Sequence, residues 1–280
     1  MLLVVPVYEG RHLTRQLIES LAATVQSRHF QLVLVDNGSP KTYAVEEFTA
    51  PFRIRLIRNE RNEGNFYPLK QAADLKTAHT VIGLAHNDIL VYEQGWDERI
   101  DAAFKADPKL GMVGFAGGDR IGEDGRRVVT LSNLNGGRGH ISAEGEADWP
   151  GERIFDLRPA VALDALFIAF RRDVLKSLTL DDGLPPGHWY DLIWGAQASL
   201  AGWRLAVMGV DCDHVGWGTS AGQREELQPE WLRWCVETGV GVPDGDPMAA
   251  IRAYGEAQWQ TYRGRYWPCH VGADWGVRRP

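Results

Sequence analysis

Five apolar runs in the first 115 residues, separated by stretches of helical periodicity, constrain this 280-residue chain more than anything else in it. Residues 2–5, 32–35, 54–57, 80–84 and 111–115 read as strands. The first, Leu2 to Val5, is continuous rather than alternating, as expected of a strand buried on both faces of a parallel sheet. Between the first two, Leu13, Leu17, Ile18 and Leu21 recur at helical spacing, and residues 66–75 and a segment from Glu93 carry the same signal. Strand and helix alternating in this way predict an α/β chain with a mostly parallel sheet, right-handed crossovers and helices on both faces. In such sheets ligands bind beyond the carboxyl ends of the strands.

The second half is less regular. Residues 116–152 are rich in glycine and charge, with Gly117-Gly118 and Gly136-Gly137, and fit a binding loop or a surface excursion with a short hairpin over 127–131. Order resumes over 160–170, followed by a helix from Arg172 and a helix over 190–201 that Gly202 closes. Further strands cover 204–208 and the stretch up to His214. From residue 224 the pattern is helical and aromatic, with Trp231, Trp234, Trp259 and Trp267. The expected division is a main domain over 1–221 and a helical, aromatic-rich appendage over 222–280. Within the main domain, 1–115 is the regularly alternating half and 116–221 the less regular one.

A formal net charge of −7, with no Lys- or Arg-rich run, weighs against a nucleic-acid partner. Cys212, Cys235 and Cys269 form no C-x-x-C pair, so neither a zinc ribbon nor a disulfide framework is indicated. The apolar start is too short for a secretory signal core, and no window approaches the ~20 apolar residues of a membrane span. A cytoplasmic protein without a membrane span is the expectation.

Four polar groups stand at strand ends: Pro6-Val7-Tyr8-Glu9, Asp36-Asn37, Asn62 with Gly64-Asn65, and His86-Asn87-Asp88. In a parallel sheet all four project from one edge. No G-x-G-x-x-G follows the first strand and no G-x-x-x-x-G-K-[ST] occurs, so dinucleotide and P-loop chemistry lose their usual fingerprints. What remains is a nucleotide-sized site of acids and amides. Asp36 could accept hydrogen bonds from a base or ribose, and Asp88, flanked by an imidazole and an amide, could hold a divalent cation.

In this order and spacing, "VPVYEG", "VLVDNGS", "NEGN" and "AHNDI" resemble the nucleotide-sugar half of inverting family 2 glycosyltransferases of GT-A fold, of the rhamnosyltransferase-like bacterial or phage type. "GHWYDLIWGAQASLAGWRLAVMGVDCDHVGWG" is similar to the acidic helix of that family, its A-G-[YW]-R turn and a later histidine. The resemblance covers roughly residues 2–218. It implies that Pro6, Val7, Tyr8 and Glu9, with Asp36 and Asn37, enclose the nucleotide, while Asn62, Gly64, Asn65 and Asn87 line the rest of the donor pocket. Asp88 then binds Mn2+ or Mg2+ and the diphosphate. His86 stands where the first Asp of a D-x-D motif would be, and imidazole is a competent ligand. His214 takes the place of a histidine that completes the metal site, and Asp191 that of the catalytic base. His188, Trp189, Tyr190 and Trp217 fall on the acceptor side, where aromatic rings stack on sugars. Ile193 and Gly195 depart from the more polar residues usual after the motif. Read without the resemblance, Asp191 could be a helix cap, His214 a core histidine, and Asp181-Asp182 a rival base.

The implied reaction is metal-dependent, inverting transfer from a nucleotide diphosphate sugar to a glycan or other hydroxyl acceptor. Asp191 takes the hydroxyl proton, and the cation neutralises the departing diphosphate. Two alternatives stand beside it. One is a nucleotide-sugar-binding protein of the same fold whose chemistry has lapsed, suggested by His86 and Ile193. The other is a sugar-phosphate nucleotidyltransferase, against which the chain lacks a Gly-rich basic N-terminal loop. The Trp-rich tail offers a surface for self-association into a homo-oligomer.

Overall fold

Burial on both faces puts four of the five apolar runs inside one large sheet, while residues 54–57 lie in its part-exposed edge strand. The structure, a computed structural model, describes residues 1–63, 66–119, 130–135, 151–178, 180 and 190–215. The first half runs β1 (Leu2–Val7), α1 (Arg11–Thr24), β2 (Gln31–Asn37), β3 (Arg53–Asn59), α2 (Phe66–Ala73), β4 (Val81–Ala85), β5 (Ile89–Val91), α3 (Trp96–Ala106) and β6 (Leu110–Gly114). The second adds β7 (Ala116–Gly118), β8 (Thr130–Ser132), β9 (Gly151–Arg153), β10 (Leu157–Ala160), β11 (Ala162–Leu163) and β12 (Phe167–Arg171). It ends with α4 (Tyr190–Leu200), β13 (Arg204–Met208) and β14 (Cys212–His214).

The main sheet has eight strands in the order β10-β13-β6-β12-β4-β1-β2-β3. β3, β2, β1 and β4 are parallel neighbours, and so are β6 and β13. The chain builds outward from β1 to β3, then returns to the other side of β1 with β4. That reversal is the switch point where α/β sheets bind ligands. β12 is wedged antiparallel between β4 and β6, and β10 closes one edge antiparallel to β13. The sheet is therefore mixed where the sequence is silent about direction.

The ordered stretch expected over 160–170 belongs to three strands. β10 ends at Ala160, β11 leaves for a four-stranded sheet of order β11-β7-β8-β9, and β12 re-enters the main sheet. A turn at Asp164 separates the last two, its Oδ1 accepting from Leu166 N at 3.0 Å. The helix expected from Arg172 is a 3-10 segment, Arg172–Ser177. The Arg172 guanidinium donates to the carbonyls of Ala73 and Leu75 at 2.9 and 3.0 Å, capping the carboxyl end of α2.

Alternation along the strands sorts the core into two layers. Val4, Val33, Ile82 and Leu84 pack with Leu69 of α2 and with Ile193 and Trp194 of α4. Leu3, Val5, Leu32 and Leu34 pack with Leu17 and Leu21 of α1 and with Trp96 and Ile100 of α3. Trp96 meets Phe115 and Phe167 edge-on at 5.5 and 5.3 Å. The expected appendage over 222–280, the glycine-rich loop around 136–137, Cys235 and Cys269 lie outside the described residues; Cys212 is free and buried. Among the described residues no helix is long and apolar enough to cross a membrane.

Gly38, at the end of β2, has φ +78, and a Cβ there would lie 2.7–3.0 Å from the backbone of Arg61. Gly202 also has a positive φ, +85, with open space around it. Gly202→Ala is expected to cost about 1 kcal/mol, the left-handed penalty alone. Gly38→Ala carries that penalty and a backbone clash, about 3 kcal/mol in all. Urea denaturation of both variants checks this; equal losses would contradict the close approach of the two loops.

Candidate functional site

Because β1, β2, β3 and β4 are parallel neighbours, the segments that follow them emerge side by side. The turn after β1 is bent by two successive left-handed residues, Glu9 (φ 55) and Gly10 (φ 56). Such strain in a non-glycine residue persists only where surrounding contacts impose it. Here Glu9 N donates to Ser39 Oγ at 3.0 Å, and Tyr43 Oη donates to the Glu9 carbonyl. Arg11 lies over the Tyr43 ring at 4.2 Å and pairs with Glu47 at 2.9 Å, fastening the two loops together. Tyr8 is left 49% exposed at the edge. Val7, grouped above with the donor pocket, is 1% exposed, so its side chain supports the loop from below rather than lining a pocket. Pro6 is half-buried beside it.

Asp36 is fully buried. Its carboxylate accepts from Ser39 N at 2.9 Å, from Tyr43 N at 3.1 Å and from the Arg58 guanidinium. Burial alone would raise its pKa, but these donors outweigh it and hold the carboxyl below the usual range. Asp36 therefore builds the loop, with both oxygens engaged inside the protein. Sequence reasoning missed Arg58, because only the β2–β3 register sets it directly against Asp36. Asn37 is buried and accepts from Asn59 Nδ2 at 2.8 Å, and Asn59 in turn pairs with Gln71. Asn62 is exposed, while Gly64 and Asn65 lie outside the described residues.

After β4 the triplet divides. Asn87 turns back to α1, its Nδ2 donating to Thr14 Oγ1 at 3.1 Å. His86 and Asp88 face the other way, with His86 N anchored to the Leu166 carbonyl at 2.9 Å. His214 arrives from far along the chain because β14 pairs antiparallel with β5, His214 against Ile89. Val215 N then donates to the Asp88 carbonyl at 2.8 Å. His214 Nε2 lies 3.3 Å and His86 Nδ1 3.8 Å from Asp88 Oδ1. One ligand atom from each of the three residues falls within 4.8 Å of the others.

Asp88 Oδ1 is buried and has no well-directed hydrogen bond among the described residues. A buried carboxylate oxygen is costly unless charged or polar groups stand close to it, and here the two imidazoles do. Burial pushes the Asp88 carboxyl up, but the two imidazoles outweigh this and hold it below the ordinary range. Burial also lowers the His86 pKa, as does His214, and Asp88 offsets this only in part. The set is thus one carboxylate and two imidazoles, with His86 favoured as the neutral ligand. Two donors bound at right angles to a cation at ~2.2 Å sit about 3.1 Å apart, so the three groups would have to draw together to hold a divalent cation.

Asp191 opens α4, where an acidic group is favoured by the exposed N–H groups and dipole. Its Oδ1 accepts from Leu192 N at 2.9 Å and its Oδ2 from Ala165 N at 3.3 Å. The turn over 164–166 thus holds both the base candidate and His86. Tyr190 was expected to face an acceptor. Its ring is instead 3% exposed, packed edge-on to Trp194 at 4.9 Å, with its hydroxyl 3.5 Å from His86 Nε2. Helical spacing puts residue 190 on the core side with Trp194, a placement the motif alone does not convey. His188, Trp189 and Trp217 lie outside the described residues.

The profile of the family described as "Glycosyl transferase family 2" matches residues 2–178. The O-antigen biosynthesis protein RfbC of Myxococcus xanthus is 25% identical over 257 residues, 88% of this chain and 20% of that protein. The uncharacterized protein y4gI of Sinorhizobium fredii (strain NBRC 101917 / NGR234) is 25% identical over 154 residues, 54% of this chain and 16% of that one. The chain therefore spans a fifth or less of these relatives' length. Among solved structures, S. aureus TarS 1-349 superposes with a TM-score of 0.57 at 17% identity, covering 94% of this chain and 72% of that one. GalNAc-T7 with UDP, GalNAc and Mn2+ gives 0.58 at 15% identity, covering 92% and 54%. TarS 1-349 has the same arrangement in complex with UDP-GlcNAc, at 14% identity, a TM-score of 0.57 and coverage of 93% and 72%. At these identities the likeness is one of fold, the α/β GT-A arrangement.

A depressed carboxyl pKa makes the Asp36 loop acid-sensitive. The ionised form is favoured in the folded state, so its contribution is complete above the unfolded value of about 3.9 and fades as pH falls toward the folded one. The stability gap between the wild type and Asp36→Asn should be constant from about pH 7 to pH 5 and shrink below about pH 4. Urea midpoints across that range measure it; a gap that persists undiminished in acid would contradict this reading of the loop.

Proposed function

The chain belongs to glycosyl transferase family 2, and on that premise we propose a metal-dependent, inverting enzyme that moves a sugar from a nucleoside diphosphate to a hydroxyl acceptor. The observation that carries the proposal is the convergence of His86 and His214 on the buried carboxylate of Asp88 at the switch point of the sheet. A uridine diphosphate sugar is the first donor to consider, since solved neighbours of this fold hold UDP or UDP-GlcNAc. The acceptor proposed is a hydroxyl of a surface polysaccharide, in line with the O-antigen biosynthesis protein of Myxococcus xanthus among the relatives.

The residues divide the work as follows. Tyr8, Glu9, the Asp36-Asn37 loop and Asn62, with Gly64, Asn65 and Asn87, belong to the donor side; His188, Trp189 and Trp217 belong to the acceptor side. Asp88, His86 and His214 would hold the cation, which supplies positive charge where the leaving diphosphate gains negative charge. That leaving group needs no proton, so a single base suffices. Asp191 is that base: placed at a helix start and oriented by the Ala165 and Leu192 N–H groups, it accepts the proton of the attacking hydroxyl. Attack from the side opposite the diphosphate inverts the anomeric centre. The proposed domain extends over 1–221, with the donor half in 1–115.

Asp191→Asn keeps the shape and removes the basicity. Transfer should fall by about 10²–10⁴-fold while the donor still binds; turnover near the wild-type rate would remove Asp191 from the base role. Asp88→Asn should abolish the Mn2+-dependent part of thermal stabilisation by UDP, and stabilisation identical with and without metal in the wild type would sink the cation reading.

A further inference from the structure

We propose that Tyr190 is a positioning residue for the cation site: its hydroxyl fixes which ring nitrogen His86 presents to Asp88, and so ties the start of α4 to the metal cluster. The inference rests on the metal reading above and assigns Tyr190 a place other than the acceptor side. The geometry is directional. His86 Nε2 is the nitrogen 3.5 Å from Tyr190 Oη, and His86 Nδ1 is the nitrogen 3.8 Å from Asp88 Oδ1. A neutral imidazole carries one N–H and one lone pair, and the group that accepts the N–H decides where the lone pair points. With the Tyr190 oxygen as acceptor, Nε2 keeps the proton and Nδ1 offers its lone pair on the Asp88 side. Partners that hold the distal N–H of a ligating histidine tune metal affinity in this way.

Tyr190 suits the task because it is held rigidly. Its ring packs edge-on to Trp194, which packs edge-on to Phe170 of β12 at 5.7 Å. Burial alone would be served equally well by phenylalanine; the hydroxyl is what reaches the cluster. Tyr190 also precedes Asp191 directly, so a shift of α4 that moved the base would pull the hydroxyl from His86. The metal ligand and the base are thereby held in one frame.

Tyr190→Phe removes the oxygen and keeps the ring. Mn2+ titration of the full chain, read by thermal shift and by the EPR signal of free Mn2+, would compare wild type, Y190F, H86A, the H86A/Y190F double variant and D88N. The expected result is about tenfold weaker Mn2+ binding in Y190F, an unchanged melting temperature in EDTA, and no further loss when Y190F is added to H86A. Wild-type affinity in Y190F overturns the proposal. So does a loss of equal size with and without His86, which marks packing rather than positioning. D88N separates the two levels: Mn2+ binding untouched by D88N overturns the cation site itself and this inference with it. Binding abolished by D88N but indifferent to Y190F overturns this inference alone.

Discussion

The antiparallel pairing of β14 with β5 is the interaction on which the candidate site depends. Asp88 precedes β5 and His214 closes β14, and the register that sets His214 against Ile89 is what makes them neighbours. Since side chains alternate along a strand, a slip of one residue would present Asp213 in place of His214. The ladder is short, and contacts around it hold the register. Tyr92 N donates to the Asp211 carbonyl at 2.9 Å, and Tyr92 Oη donates to Asp213 Oδ2 at 2.7 Å. Burial and that carboxylate push the Tyr92 phenol up to about 12, so it remains a donor across the physiological range. On the other edge of β14, Asn135 N donates to the Cys212 carbonyl at 2.9 Å, and Arg153 reaches Asn135 from the four-stranded sheet.

Two buried aspartates at the same sheet edge show how environment assigns roles. Asp36 is saturated: two backbone N–H groups and a guanidinium fix its carboxylate, and the reward is a loop of defined shape. Asp88 is held ionised by two imidazoles but keeps one buried oxygen without a directed donor. One carboxylate thus holds a loop, while its neighbour faces two imidazoles, a donor set that could hold a divalent cation. The 164–166 turn joins this site to α4, since it receives His86 N through the Leu166 carbonyl and offers Ala165 N to Asp191.

Much of this was legible in the chain. The continuous runs in residues 2–5, 32–35 and 80–84 could only be strands covered on both faces, and their order led to parallel β1, β2 and β4. The partnership of Asp88 with His214 was legible through motif order. What was not legible depended on register and strand direction, which no local pattern encodes. The antiparallel insertion of β12 and the detour of β11 lie inside one apolar stretch. The Arg58 bond to Asp36 is set by strand pairing, and the turning away of Asn87 toward Thr14 is set by alternation at the end of β4. Tyr190 is the clearest instance: the Tyr-Asp pair pointed to an active-site helix, but only the packing against Trp194 shows that the tyrosine faces inward while the aspartate does not.

The central claim is that Asp88, His86 and His214 form one divalent-cation site. Pulsed EPR of Mn2+ bound to the protein with UDP tests it most directly, because imidazole nitrogen couples to the electron spin only when it ligates. Coupling to two nitrogens, falling to one in His214→Ala and to one in His86→Ala, is the result this account requires. Bound Mn2+ without nitrogen coupling, or with coupling unaffected by either substitution, would contradict it.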